Sequence, residues 1–130
     1  MKRALIVVAT LGLAACRNSL AMPDGSNVGC TAVFVPGVSV TFTDSVSGAT
    51  GGLLNAWAAA HEGTYTDSVL ATGLPTQLIA NLAGERVGTY VVTAGATGYK
   101  TQTTTGVTVV KLDSCHVKTV LINARLVRAQ

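Results

Sequence analysis

The chain has 130 residues, 48% of them apolar and only 12% charged, with a formal net charge of +3 and a pI near 9.0. Two of the nine basic residues, Lys2 and Arg3, stand at the extreme N-terminus, and without them seven bases face six acids. That near balance supplies no clustered Lys and Arg for a nucleic-acid surface, and the abundance of Thr, Val, Ala and Gly argues for an extracytoplasmic β protein over a disordered one.

Residues 1–15, MKRALIVVATLGLAA, join a basic start to an apolar run from Ala4 to Ala15. The run is shorter than the ~20 residues of a membrane-crossing helix and has the shape of a secretion signal, so it is set outside the fold. Leu13-Ala14-Ala15-Cys16 follows, and the order of Leu, two small residues and Cys resembles the lipobox of bacterial lipoproteins. The resemblance implies that Cys16 becomes the mature N-terminus, with a diacylglyceryl thioether and an acylated, palmitate-type amine. The membrane is then the first expected partner, since several chains gaining about 0.8 kcal/mol per buried methylene amount to a permanent anchor. Arg17, where Asp is absent, resembles the sorting pattern of lipoproteins sent to the outer membrane. Residues 16–29 are small, polar and aperiodic, with Pro23 and Gly25, and read as a tether.

With Cys16 lipidated, Cys30 and Cys115 remain, and an exported protein in an oxidising compartment is expected to pair them. In the chain-entropy picture a loop of that length stabilises the fold by roughly 4.5 kcal/mol; the other possibility is two separately buried thiols. A metal set is incomplete, because His116 is the only neighbouring imidazole.

The folded part is expected to begin with a short strand at Thr31–Val35, then a Pro36-Gly37 turn and a strand at Val38–Thr43. In the second strand Val38, Val40 and Phe42 alternate without a break against Ser39, Thr41 and Thr43. Asp44–Gly52 is a loop. Leu53–His61 suits either a marginal nine-residue helix capped by Gly63 or a strand; the β surroundings favour a strand, turning at Glu62-Gly63 into Thr64–Leu70. Ala71–Thr76 is a connection, Gln77–Ala83 a strand and Gly84–Arg86 a turn. Three runs rich in Val, Thr and Tyr follow, at Thr89–Ala94, Val107–Leu112 and Val117–Leu126, separated by glycine-bearing loops at Gly95 and Gly98 and again at Gly106. In the last run Cys115 and Val117 lie on the odd-numbered face, whereas Val120, Ile122, Ala124 and Leu126 form an apolar row on the even-numbered one. A bulge or bend near Lys118-Thr119 is therefore expected. About seven short strands at regular spacing predict an all-β, Ig-like antiparallel sandwich.

Pro36-Gly37-Val38-x-Val40, Gly63-Thr64-Tyr65, Gly88-Thr89-Tyr90-Val91-Val92, Gly98-Tyr99 and Val107-x-Val109 together resemble the carboxypeptidase regulatory-like, or prealbumin-like, β-sandwich domain. The resemblance covers residues 30–126, leaving 127–130 as a C-terminal tail. It implies an accessory module with no catalytic residues or cofactor of its own.

The residues agree with that expectation. His61 followed directly by Glu62 has the wrong spacing for a zinc-peptidase pair, and no His-Glu-x-x-His is present. His61 with Glu62 and His116 with Asp113 are the imidazoles with a carboxylate close in sequence, and both read as structural. A pocket gathering two or more of His61, Glu62, Asp67, Asp113 and His116 would favour a site. Trp57, the single tryptophan, is expected to fill or cover the core, and the run Thr101, Thr103–Thr105 to be a solvated face. The expected function is a non-enzymatic, lipid-anchored module of the bacterial cell envelope, with an envelope protein or glycan as partner. The alternative is a small-ligand or carbohydrate-binding module using the loops Asp44–Gly52 and Ala71–Thr76, with a hydrolase third.

Overall fold

The computed structural model describes residues 29–130. Cys16, the signal segment and nearly all of the tether lie outside the described residues. Eight strands are present: β1 (Val38–Asp44), β2 (Trp57–Glu62), β3 (Tyr65–Leu70), β4 (Thr72–Leu74), β5 (Gln77–Leu82), β6 (Gly88–Gly95), β7 (Gln102–Val109) and β8 (Val120–Leu126). No helix occurs among the described residues. The strands form two four-stranded sheets, β4-β5-β1-β8 and β3-β2-β6-β7, in the expected all-β sandwich. One pairing departs from the antiparallel rule: β1 and β8 run parallel, from Val38↔Val120 to Asp44↔Leu126.

The alternation along β1 sets the interior. Val38, Val40 and Phe42 are at most 1% exposed, while Ser39, Thr41 and Thr43 face outward and are half-buried. The largest buried rings, Phe42 and Tyr90, share the core with a run of small residues, Ala58, Ala60, Ala80, Ala94 and Ala124. The Tyr90 hydroxyl donates to the carbonyls of Arg86 at 3.1 Å and Val87 at 3.3 Å, so its polar end is satisfied.

Several expected elements move. Thr31–Val35 is not a strand; both edges of β1 are taken, by β5 and β8, so no ladder is open beside it. Leu53–His61 is strand only from Trp57. Before that the chain turns, burying Leu53 and leaving Leu54 65% exposed. The connection at Ala71–Thr76 holds the short β4, and of the threonine run Thr103–Thr105 belong to β7 while Thr101 precedes it. Gly106 is no loop between strands. It is a bulge with φ 69°, where Thr105 and Gly106 together oppose Val91. Within residues 127–130, Arg128 bridges to Tyr99.

The expected change of phase before β8 is present. Val117 is fully buried and bridges Lys111, the chain leaves strand geometry at Lys118-Thr119, and β8 then buries Ala124 and Leu126 and half-buries Val120 and Ile122. Leu121 is 79% exposed, which fixes the register.

Asp44 closes β1 as a buried carboxylate. Oδ1 accepts the N–H groups of Val46 (2.8 Å) and Ser47 (3.0 Å), and Oδ2 accepts the Tyr99 hydroxyl (2.7 Å) and Arg128 Nε (3.3 Å). The bond from Ser47, then those from Tyr99 and Val46, hold its carboxyl well below the ordinary value of 3.8, against the opposing effect of burial. A carboxyl lowered in the folded state stabilises above its unfolded value, and that contribution is lost as pH falls toward the folded value. Acid titration of stability should therefore show a steeper loss below pH 3.8 in the wild type than in Asp44→Asn. Phe42→Ala should cost about 3–5 kcal/mol in urea denaturation.

Candidate functional site

Parallel pairing of β1 and β8 brings the segments that precede them to the same end of the sandwich. There Cys30 and Cys115 form a disulfide with Cα atoms 5.3 Å apart, across a sequence separation of 85. The expected pairing is present, although Cys30 precedes an irregular segment and not a strand.

A chain of polar contacts surrounds the bridge. Thr31 Oγ1 lies 2.9 Å from His116 Nε2, and His116 Nδ1 lies 3.0 Å from Glu85 Oε1. The same Glu85 oxygen accepts the Val35 N–H at 2.8 Å, while the Glu85 N–H donates to the Val35 carbonyl at 3.0 Å. These bonds dock the segment 31–35 in place of a sheet ladder. Burial alone pushes the Glu85 carboxyl up; the bonds from His116 and Val35, with the His116 charge, outweigh it, and the net displacement is downward.

The turn carrying Glu85 is strained. Ala83 and Glu85 have φ of 52° and 51°, in the left-handed region that side chains disfavour. Asp67 Oδ2 holds the Ala83 N–H at 2.8 Å, and the Ala83 carbonyl accepts Gly37 N–H at 3.1 Å. Between the two strained residues, a Cβ at Gly84 would collide with the ring of Phe34.

Asp113 has a separate task. Its Oδ1 accepts the N–H groups of Cys115 and His116, both at 2.7 Å, and these bonds, Cys115 first, lower its carboxyl. The His116 ring thus pairs with Glu85, 31 residues away, and not with the carboxylate near it in sequence. Asp113 and His116 line a cavity of about 190 Å³ together with Gly29, Thr31, Ser114 and Cys115.

The other expected candidates lie apart. His61 Nδ1 meets Thr66 Oγ1 at 3.1 Å on the exposed face. Glu62 binds Arg86 Nη2 at 2.8 Å and the Thr89 N–H at 2.6 Å, and a Cβ at Gly88 would press against its carboxylate. Arg86 stacks 4.2 Å over the Tyr65 ring. Trp57 lies half-buried on the outer face, against Gly95. The loops Asp44–Gly52 and Ala71–Thr76 do meet, through Thr50 Oγ1 donating to the carbonyls of Phe42 and Thr76. No group of three or more His, Cys, Asp or Glu among the described residues is placed to hold a metal ion.

Chemically, Thr31, His116 and Glu85 stand in the hydroxyl, imidazole, carboxylate order of acyl-transfer sites. Two backbone N–H groups of the cavity lining, those of Cys115 and His116, are spent on Asp113 and not directed at an oxyanion. The arrangement is built as a latch on the N-terminal segment. No family model matches this sequence. No curated protein matches it significantly.

Replacing both Cys30 and Cys115 by Ser should lower stability in urea by roughly 4.5 kcal/mol. Intact mass before and after reduction and alkylation checks the bridge in solution.

Proposed function

We propose that this chain is an exported, lipid-anchored β-sandwich that acts as a non-catalytic structural or interaction module of the bacterial cell envelope. The observation that carries the reading is the Cys30–Cys115 disulfide, which belongs to an oxidising compartment and grips the chain close after the lipobox-like Leu13-Ala14-Ala15-Cys16. A pull from the membrane through residues 17–29 reaches Cys30 and passes by covalent bonds into the loop before β8. It does not peel residues 31–37 from the sandwich. The bridged end then faces the bilayer and the Asp44 end faces away from it. Resemblance to the carboxypeptidase regulatory-like domain supports an accessory role, and Arg17 supports placement in the outer membrane.

The Thr31–His116–Glu85 relay favours a second reading, an esterase-type hydrolase with Thr31 Oγ1 as nucleophile. Labelling of the wild type by a fluorophosphonate, abolished in Thr31→Val, would move the assignment there.

Cys16→Ser should shift the protein from the membrane fraction to a soluble or uncleaved precursor form. Wild-type protein recovered in the soluble fraction, with no lipid mass, would remove the anchor.

A further inference from the structure

Three connecting segments meet at the bridged end, residues 31–37, 83–87 and 110–119, and together they expose five large apolar side chains: Val33, Phe34, Val87, Val110 and Leu112. The segments are tied to one another. The Val35 N–H and carbonyl both bond to Glu85, and the Phe34 ring lies against Gly84. The Thr119 hydroxyl donates to the Pro36 carbonyl at 2.8 Å, and the Leu112 N–H donates to the carbonyl of His116, whose ring meets Thr31. The disulfide joins the first segment to the third, so the five side chains stand on one braced unit.

Three observations bear on what covers this face. First, Ala32-Val33-Phe34-Val35 is an unbroken apolar run outside any strand, and three of its four residues are exposed. All the tyrosines, the tryptophan and Phe42 are buried or half-buried; Phe34, at 66%, is the one aromatic side chain left in the open. An exposed ring among exposed valines and leucine is the composition of a contact surface. Second, the chain enters the fold here. Twelve residues, 17–28, separate Cys16 from Gly29, so a lipid on Cys16 keeps this end within about 40 Å of the bilayer whatever path they take. Third, Lys111 and Lys118 flank Val110 and Leu112, the Lys118 N–H bonding to the Val110 carbonyl, and both side chains are exposed and outside any ion pair among the described residues. The acids of this end, Glu62, Asp67, Glu85 and Asp113, are bonded within the protein.

We infer that the bridged end is a membrane-docking face: Phe34, Val33, Val87, Val110 and Leu112 enter the headgroup region of a phospholipid bilayer, and Lys111 and Lys118 meet its phosphates. The inference rests on the lipid-anchor reading above. Apolar side chains beside lysines are the pairing that interfacial segments use, and five loop residues alone give a weak, reversible hold. The anchor makes a weak hold sufficient, because it turns docking into an intramolecular step at high effective concentration. Val46, Leu54, Leu70 and Leu74 are exposed as well, but they stand at the Asp44 end, about 20 Å away along the strands, with no exposed aromatic ring and no chain leading to the anchor. Docking fixes the orientation of the sandwich, whereas the anchor alone leaves it free to tumble at the end of its chain.

The test uses the full-length mature protein in vesicles of phosphatidylethanolamine and phosphatidylglycerol. With Trp57→Phe as background, Phe34→Trp and Leu112→Trp each put one fluorescent reporter on the face, and Leu54→Trp puts one at the Asp44 end. Emission from the two face variants should shift to the blue and fall about two-fold or more when the acyl chains carry bromine, with little quenching by aqueous acrylamide, and Leu54→Trp should behave in the opposite way. Adding Lys111→Glu and Lys118→Glu to Leu112→Trp should reduce the bromine quenching. Emission from both face variants that acrylamide quenches and bromine does not, in protein carrying lipid mass at Cys16, overturns the docking face and leaves the anchor standing. Shielding from acrylamide without bromine quenching also overturns it: shielding lost as the protein is diluted over the vesicles assigns the face to a second copy, and shielding that persists assigns it to the chain's own N-terminal residues. Absence of lipid mass at Cys16 overturns the anchor reading, and the docking face with it.

Discussion

The parallel pairing of the first strand with the last is the constraint on which the rest of the molecule depends. β1 and β8 lie side by side from Val38↔Val120 to Asp44↔Leu126, and since both run the same way, whatever precedes them meets at one end and whatever follows them meets at the other. Cys30 precedes β1 and Cys115 precedes β8, so a disulfide becomes geometrically possible. Asp44 ends β1 and Arg128 follows β8, so the other end closes with an ion pair and a tyrosine hydroxyl. Had β8 joined β1 antiparallel, Cys115 would lie a strand's length from Cys30.

What was legible in the sequence follows from how local the signal is. The alternation of Val38, Val40 and Phe42 is visible because each side chain reports its own face. The phase change before β8 is equally visible, since Val117 and Val120 cannot share a face unless the chain bends between them, and Val117 is indeed fully buried. The failures are places where a neighbour decides. Ala32 to Val35 has strand-forming residues but no free edge to join, and it is held by Glu85 and the disulfide instead. The start of β7 was hidden because Gly106 suggests a loop, whereas its positive φ serves a bulge within a continuing strand. Leu53 is buried and Leu54 exposed because the chain there turns before the strand begins at Trp57.

The site was less legible than the fold. Cys30 and Cys115 could be paired by counting, but nothing in the neighbourhood of His116 points to Glu85, and the nearby Asp113 is a decoy occupied with backbone N–H groups. The one available hint is the acidic residue beside Gly84 in a short turn between strands. That position demands left-handed backbone from a residue other than glycine, and such strain marks a side chain retained for its contacts.

The two ends differ in how they respond to their surroundings, and the difference follows from bond type. At the bridged end the covalent link persists at any pH, and removing the His116 to Glu85 contact still leaves residue 30 fixed to residue 115. At the Asp44 end one carboxylate gathers four contacts beside the backbone bonds of Ser45 N–H to the Leu126 carbonyl and Lys100 N–H to the Val127 carbonyl, so protonating that group weakens the hold on the 44–48 loop, Tyr99 and Arg128 together. The bridged end is therefore suited to bearing load. The Asp44 end, where one protonation weakens several contacts at once, has the lower local resistance to opening.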